Sequence, residues 1–292
     1  MDAVITYVVG LDSFWQKEYA EFTNRPIVNK RYRDWGTLKY LLRGIETKMP
    51  FIDNVFLVVS SESQVPEWTD RNNLHIVLHK DIIPEEFLPT FNSTTIEIFL
   101  HRIPGLDERF IYFNDDMYPI MDCVVSDFFE DGKIVMGFSR HLLKTGMYKK
   151  QCFNSDALAR RILGLPASTK FIRPQHTPTP MLKSACEYVY NEAHGDIVQR
   201  LSALRTNDNV NQYIYPDFMF YKGNAVNRRL SNKHISVAAS TSRKIEKFLR
   251  NPDRKFTCIN DVDINENKYI KMQSAIISSF ENLFPDKSRF EK

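Results

Sequence analysis

The stretch "ERFIYFNDDMYP" is apolar through Phe113 and then turns abruptly to Asn114, Asp115 and Asp116. Two adjacent carboxylates without a basic neighbour repel each other at neutral pH, so a positive group is needed beside them. Oxygen ligands of this kind suit a divalent cation, Mg²⁺ or Mn²⁺. A second pair, Asn260 and Asp261, follows a short apolar run in "KFTCINDVD", and two such pairs are able to converge on one metal. Asn-Asp pairs also favour solvated turns, which is the alternative reading of each. His176 lies in "RPQHTPTP", where prolines stiffen the loop, and a rigid loop holds an imidazole near a reacting hydroxyl at little ordering cost. Arg205, in "LRTNDNV", is placed either to grip a phosphate or to pair with Asp208. Asp2 and Asp12 bracket the first apolar run, and Gly10 allows close approach of a backbone to a ligand such as phosphate or uracil. Neither a P-loop nor a GxGxxG fingerprint is present, so phosphates would be held by metal and arginine.

These side chains need strands to deliver them. Apolar runs rich in Val, Ile and Phe recur at Ala3 to Val9, Asn54 to Val59, Leu74 to Leu78, Phe110 to Phe113, Ile134 to Phe138 and Phe256 to Ile259. Several are nearly continuous, as expected for strands covered on both faces. Leu38, Leu41, Leu42 and Ile45 share one helical face, and Ile96, Phe99, Leu100 and Ile103 another, with Thr94 and Glu97 spaced as a capping box. His101 falls in that second helix beside Arg102, as a structural residue or one that supports a site residue from behind. Strands alternating with helices predict an α/β fold with a mostly parallel sheet and a helical C-terminal subdomain. Beyond Ser155 helices are expected over Ser155 to Leu163, Met181 to Glu192, Asp196 to Ala203, Val210 to Tyr221, Ser242 to Leu249 and Asn267 to Phe284. The expected organisation is an α/β core over 1–154, a mainly helical region over 155–254, and a strand and helix over 255–292 returning to the core.

Composition narrows the classes. Across 292 residues, 39 Lys and Arg against 36 Asp and Glu leave a formal charge of +3, too small and dispersed for a nucleic-acid surface. Cys123, Cys152, Cys186 and Cys258 form no CxxC pair, so they read as buried thiols in a reducing compartment. The start "MDAVITYVVGLD" reads as a strand, not a signal peptide, and no apolar run is long enough to span a membrane. A cytoplasmic protein is expected, with at most peripheral contact at the inner face of a membrane.

The segments taken together resemble the Stealth family of sugar-1-phosphate transferases, which includes capsule and exopolysaccharide enzymes and the lysosomal-enzyme N-acetylglucosamine-1-phosphotransferase. Four blocks appear in order: "DAVITYVVGLD"; "RYRDWGTLKYLLRGIE" through "LPTFNSTTIEIFLHRIPGLDERFIYFNDDMY"; "HTPTPMLK" with "LRTNDN"; and "FTCIND" with "FPDKSRFEK". The resemblance implies a Rossmann-like or nucleotide-sugar-transferase-like sheet, with the nucleotide-sugar and metal site in 1–154 and the acceptor side in 155–254, and attack by a hydroxyl of a glycan or lipid-linked glycan on the β-phosphorus of a UDP-sugar, with UMP expelled. It implies Mg²⁺ or Mn²⁺ held by Asp115, Asn260 and Asp261, with His176 as the base. Asp116 would bind metal or orient His176, and Arg205 would contact the diphosphate. Tyr7, Gly10, Asp12, Arg43, Asn92, Ser93 and Asn114 are the expected substrate-binding residues, and Asp34 and Glu97 match the second block. Where the family has Trp and an acidic or amide residue in its first block, this chain has Tyr7 and Val9. Two other readings stay open: a metal-dependent glycosyltransferase releasing UDP, and a relic that binds nucleotide sugar without turnover.

Overall fold

The structure is a computed structural model that describes residues 1–24, 32–260 and 264–292. In chain order its elements are β1 (Asp2–Thr6), α1 (Ser13–Thr23), α2 (Leu38–Lys48), β2 (Val55–Val59), β3 (Leu74–Leu78), α3 (His79–Ile82), α4 (Ser93–Ile98), β4 (Arg109–Asn114), β5 (Met117–Pro119), β6 (Phe129–Glu130), β7 (Lys133–Met136) and β8 (Phe138–His141). There follow α5 (Gly146–Ile162), β9 (Phe171–Pro174), β10 (Thr179–Leu182), α6 (Lys183–Glu192), α7 (His194–Val198), α8 (Ile214–Tyr221), β11 (Ala225–Asn227), β12 (Asn232–Ser236), α9 (Ser242–Arg250), β13 (Phe256–Asn260) and α10 (Glu266–Leu283). The fold is mixed α/β with a parallel-rich central sheet in the order β10-β4-β1-β2-β3. β1 and β2 are buried at every position, which is why Ala3–Ile5 and Val55–Val59 are apolar runs with no alternation, while the polar ends of β1, Asp2 and Thr6, are buried too.

Three local expectations need correcting. The run Ile134 to Phe138 is not one strand, because the chain breaks at Gly137 into β7 and β8; a Cβ there would lie 2.8 Å from Gln175 Oε1. Met181 is not helical. It pairs with Phe110 in β10, antiparallel to β4, and α6 starts only at Lys183. Pro180 sits in that strand opposite Ile111, tolerated because β10 is a sheet edge. Beyond Ser155, moreover, the strands β9 to β13 interleave with the helices.

The chain divides into two compact units, each discontinuous in sequence. The first comprises Met1–Val4, Val77–Tyr112 and Val125–Leu230. In it the antiparallel β8–β9 pair, whose connection carries α5, and the small sheet β11-β7-β6 pack with α5, α6 and α8 around Met136, Cys152, Phe171 and Tyr213. The second comprises Ile5–Ile76, Phe113–Val124 and Ser231–Lys292. There β13 runs parallel to β12 and antiparallel to β5, with Cys258 opposite Met117. The apolar face of α2 covers this unit's core: Leu38, Leu41, Leu42 and Ile45 are buried, Tyr40 stacks on Phe280, and Gly44 admits the Pro119 carbonyl. Among the described residues no helix is long and apolar enough to cross a membrane.

Candidate active site

In the second unit the two-residue step between β4 and β5 consists of Asp115 and Asp116. The β5–β13 pairing brings that step to Cys258, where the Ile259 amide donates to the Asp116 carbonyl at 3.0 Å and the Cys258 thiol donates to Asp116 Oδ2 at 3.1 Å. Asp116 Oδ1 is buried with no hydrogen-bond partner among the described residues. Burial pushes the Cys258 thiol far above its ordinary range, and Asp116 and Asp115 push it further. The Tyr118 phenol is raised by burial and then by Asp115 and Asp116, although its 2.7 Å hydrogen bond with Thr37 opposes the shift. Tyr7 is raised by burial, then by Asp34 and Asp115. The charged groups felt by all three are therefore carboxylates. A buried carboxylate oxygen without a donor, in a field this negative, fits a hard divalent cation.

The first-block residues serve the backbone around this cluster. Gly10 donates to the Tyr32 carbonyl at 2.9 Å, and a Cβ at position 10 would stand 2.1 Å from that oxygen, so the close approach is to the chain itself. Asp12 caps α1 by accepting from the Trp15 amide at 2.8 Å, and it also accepts from Ser63 Oγ at 3.1 Å. The Gln64 amide bonds both the N–H and the carbonyl of Val9, fixing position 9 through its main chain. Asp34 Oδ1 accepts from the Gly36 amide. Arg43 is held in a fork by Glu291 at 2.7 and 2.6 Å and donates to the Phe284 carbonyl at 2.8 Å. Asn114 ends β4, and Asn260 ends β13 with its Nδ2 3.4 Å from His234 Nε2. Asp261 lies outside the described residues.

The first unit collects the remaining candidates. His176 follows β9 in a loop pinned on both sides, since Gln175 donates to Gly137 O and exchanges side-chain bonds with the Leu230 backbone, and Thr177 donates to Gln175 O. Its Nδ1 lies 3.2 Å from Tyr213 Oη, which accepts from Tyr148 Oη at 3.1 Å. Burial holds both phenols well above their usual range, so both stay neutral. The Tyr148 ring meets the His176 ring edge-on, with centroids 6.2 Å apart. Arg205 Nη2 donates to Ser93 Oγ at 2.6 Å. Below it Glu97, 4% exposed, accepts from Tyr112 Oη and the Gln212 amide, both at 3.3 Å. Its carboxyl is pushed up to about 7 by burial, with Arg205 pulling the other way. Asn92, not Thr94, caps α4; its Oδ1 accepts from the Thr94 amide, and its Nδ2 donates to Ser202 O and Asn209 Oδ1. That amide locks the "LRTNDN" segment onto α4 and so sets where Arg205 stands.

The unanticipated members are Tyr213 and Tyr148 beside His176, and Cys258 beside Asp116. Cys258 stands two residues before Asn260, and on a strand that spacing marks the same face. No local pattern marks the tyrosines.

Residues 31–136 match the Stealth protein CR2, conserved region 2, and residues 246–292 match the Stealth protein CR4, conserved region 4. The chain is 31% identical over 336 residues to the capsular polysaccharide phosphotransferase WcwK of Streptococcus pneumoniae, covering 100% of this chain and 99% of the relative. It is 30% identical over 334 residues to the receptor polysaccharide phosphotransferase WefC of Streptococcus oralis, covering 100% and 99%. It is likewise 30% identical over 331 residues to the exopolysaccharide phosphotransferase cps2G of Lactiplantibacillus plantarum, covering 100% and 96%. The crystal structure of the galactosyltransferase LgtC with donor and acceptor sugar analogs aligns over 99% of this chain and 98% of that one, at a TM-score of 0.43 and 9% identity, a likeness too slight to bear on the chemistry.

Proposed function

Because the chain belongs to the Stealth family of sugar-phosphate transferases, we propose that this transferase moves a sugar-1-phosphate from a UDP-sugar to a hydroxyl of a glycan or lipid-linked glycan in polysaccharide biosynthesis. The observation that carries this reading is the match along the whole chain to polysaccharide phosphotransferases. In the proposed reaction the acceptor oxygen bonds to the β-phosphorus, the bond from that phosphorus to the bridging oxygen breaks, UMP leaves, and the hydroxyl proton passes to His176 Nε2. For Nε2 to act as base, Nδ1 must carry its hydrogen and donate it toward Tyr213 Oη, 3.2 Å away, a hydroxyl that is able either to accept from that nitrogen or to donate to it. Arg205 binds the diphosphate, oriented by its hydrogen bond to Ser93. Tyr7 and Asn114 contact the donor.

Asp115, Asn260 and Asp261 would hold Mg²⁺ or Mn²⁺, with the bare Asp116 Oδ1 as a further oxygen donor. When bound, the cation neutralises charge on the diphosphate. In phosphoryl transfer the protein's share is positioning and electrostatics, which agrees with a set of acids, an arginine and a loop-held imidazole.

Incubation with a panel of UDP-sugars, Mg²⁺ and a glycan acceptor, read by mass spectrometry, tests the assignment. UMP together with an acid-labile phosphodiester is the expected result. UDP together with a glycosidic product would replace the reading with a glycosyltransferase, and tight donor binding without turnover would replace it with a binding protein.

A further inference from the structure

Between β8 and α5 the first unit ends in a tip whose composition is unlike the rest of the chain. From Gly132 to Ser155 there is no carboxylate at all, while Lys133, Arg140, Lys144, Lys149 and Lys150 supply five cations. Residues 142–146 are all exposed, and they include two adjacent leucines, Leu142 at 59% and Leu143 at 69% exposure. Arg140, Lys144, Lys149 and Lys150 take part in none of the ion pairs found among the described residues. The tip is nevertheless firmly based. On one side Arg140 and His141 pair with Ile172 and Phe171 of β9, and on the other Gly146 opens the seventeen-residue helix α5. Lys144 folds back with its Nζ 3.7 Å from the centre of the Phe153 ring, and His141 lies against Phe171.

Isolated exposed leucines need no explanation, but two in succession at the summit of a braced, purely cationic tip do. We propose that this tip is a membrane-docking element: Leu142 and Leu143 enter the acyl boundary of a bilayer while Arg140, Lys144, Lys149 and Lys150 meet anionic lipid headgroups. The observation that selects the occupant is charge. A second copy of the chain would bring the same cations face to face, whereas an anionic bilayer satisfies the leucines and the cations together. Lys149 and Lys150 are half-buried at the start of α5, with stems able to lie along apolar surface while the ammonium groups reach outward. The inference does not depend on the proposed reaction, because none of these residues is assigned a part in it.

Co-sedimentation of the full chain with vesicles tests it, comparing phosphatidylcholine alone with mixtures containing phosphatidylglycerol at low and high salt. Binding is expected only where phosphatidylglycerol is present, and it should weaken as salt screens the headgroups. L142D/L143D should lower the partition coefficient at least tenfold, and K149Q/K150Q should lower it by about fivefold per lysine removed. Both variants should melt with the wild type, since the altered side chains lie outside the core. Absence of wild-type binding to phosphatidylglycerol vesicles overturns the proposal, as does equal binding to phosphatidylcholine or undiminished binding by folded L142D/L143D. A wild-type dimer in light scattering that L142D/L143D dissociates, without vesicle binding, would assign the tip to self-association instead.

Discussion

His176 owes its position to neighbours on either side and faces one hydroxyl through Nδ1, so the residue scale offers a sharp comparison. Removing the imidazole with His176→Ala should cost on the order of 10² or more in kcat if it is the base. Tyr213→Phe keeps the ring in the core and removes only the Oη that faces Nδ1. It should lower kcat by roughly tenfold, leave KM for the donor unchanged, and displace the acidic limb of the pH–rate profile, because the imidazole's proton affinity depends on that contact. Rates of UMP release across pH decide this, and an unaltered profile in a folded variant would remove Tyr213 from the mechanism. Asp116→Asn keeps the shape of the step between β4 and β5 but removes a charge from a cluster dominated by carboxylates. The Mg²⁺ concentration giving half-maximal rate after chelation should rise at least about tenfold, in keeping with the role of ligand charge in cation affinity.

Elements, in contrast, explain why some residues that look chemical are structural. Arg43 lies on the buried side of α2, clamped by Glu291 with both side chains under 10% exposed. Breaking a buried pair strands the remaining charge, so Arg43→Ala should cost about 3–5 kcal/mol of stability, measured by denaturant unfolding. A stable Arg43→Ala enzyme with a raised donor KM would point to a binding role instead. Gly10 belongs to the same class, because any Cβ there collides with the Tyr32 carbonyl at 2.1 Å. Gly10→Ala should displace the segment around Tyr32 and lower the melting temperature. On α8, Asp217 is fully buried with neither carboxylate oxygen hydrogen-bonded among the described residues, and burial, then the neighbouring Asp156, drive its pKa well up while Arg160 opposes. The helix therefore carries a neutral carboxylic acid in its core.

For the molecule as a whole, these buried acids set the dependence of stability on pH. Glu97 is raised from 4.5 to about 7, and Asp217 moves in the same direction. A raised folded-state pKa means the folded chain holds protons that the unfolded chain releases. The corresponding stability is fully present below about pH 4.5 and is lost as pH rises through about 7 for Glu97, by on the order of 3 kcal/mol. Melting curves of Glu97→Gln against the wild type should therefore diverge over that window, the variant gaining relative stability as pH increases. Parallel curves would mean that Glu97 is ionised at low pH in the fold. The sequence by itself determined the strand-forming runs, the strand-end acids, the stiffened histidine loop and the family, because these are local patterns: continuous apolar stretches, carboxylate pairs, proline spacing and ordered motifs. Leu74–Leu78 is a strand at the limits its apolar run sets, and α9 differs from its expected span by one residue. Which groups meet was decided by tertiary structure alone. Asp116 reaches Cys258 across 142 positions, His176 reaches Tyr213 across 37, and Arg43 reaches Glu291 across 248. Strand pairing and helix docking make those contacts, and they are set by burying whole faces at once, which no periodicity within a single segment encodes.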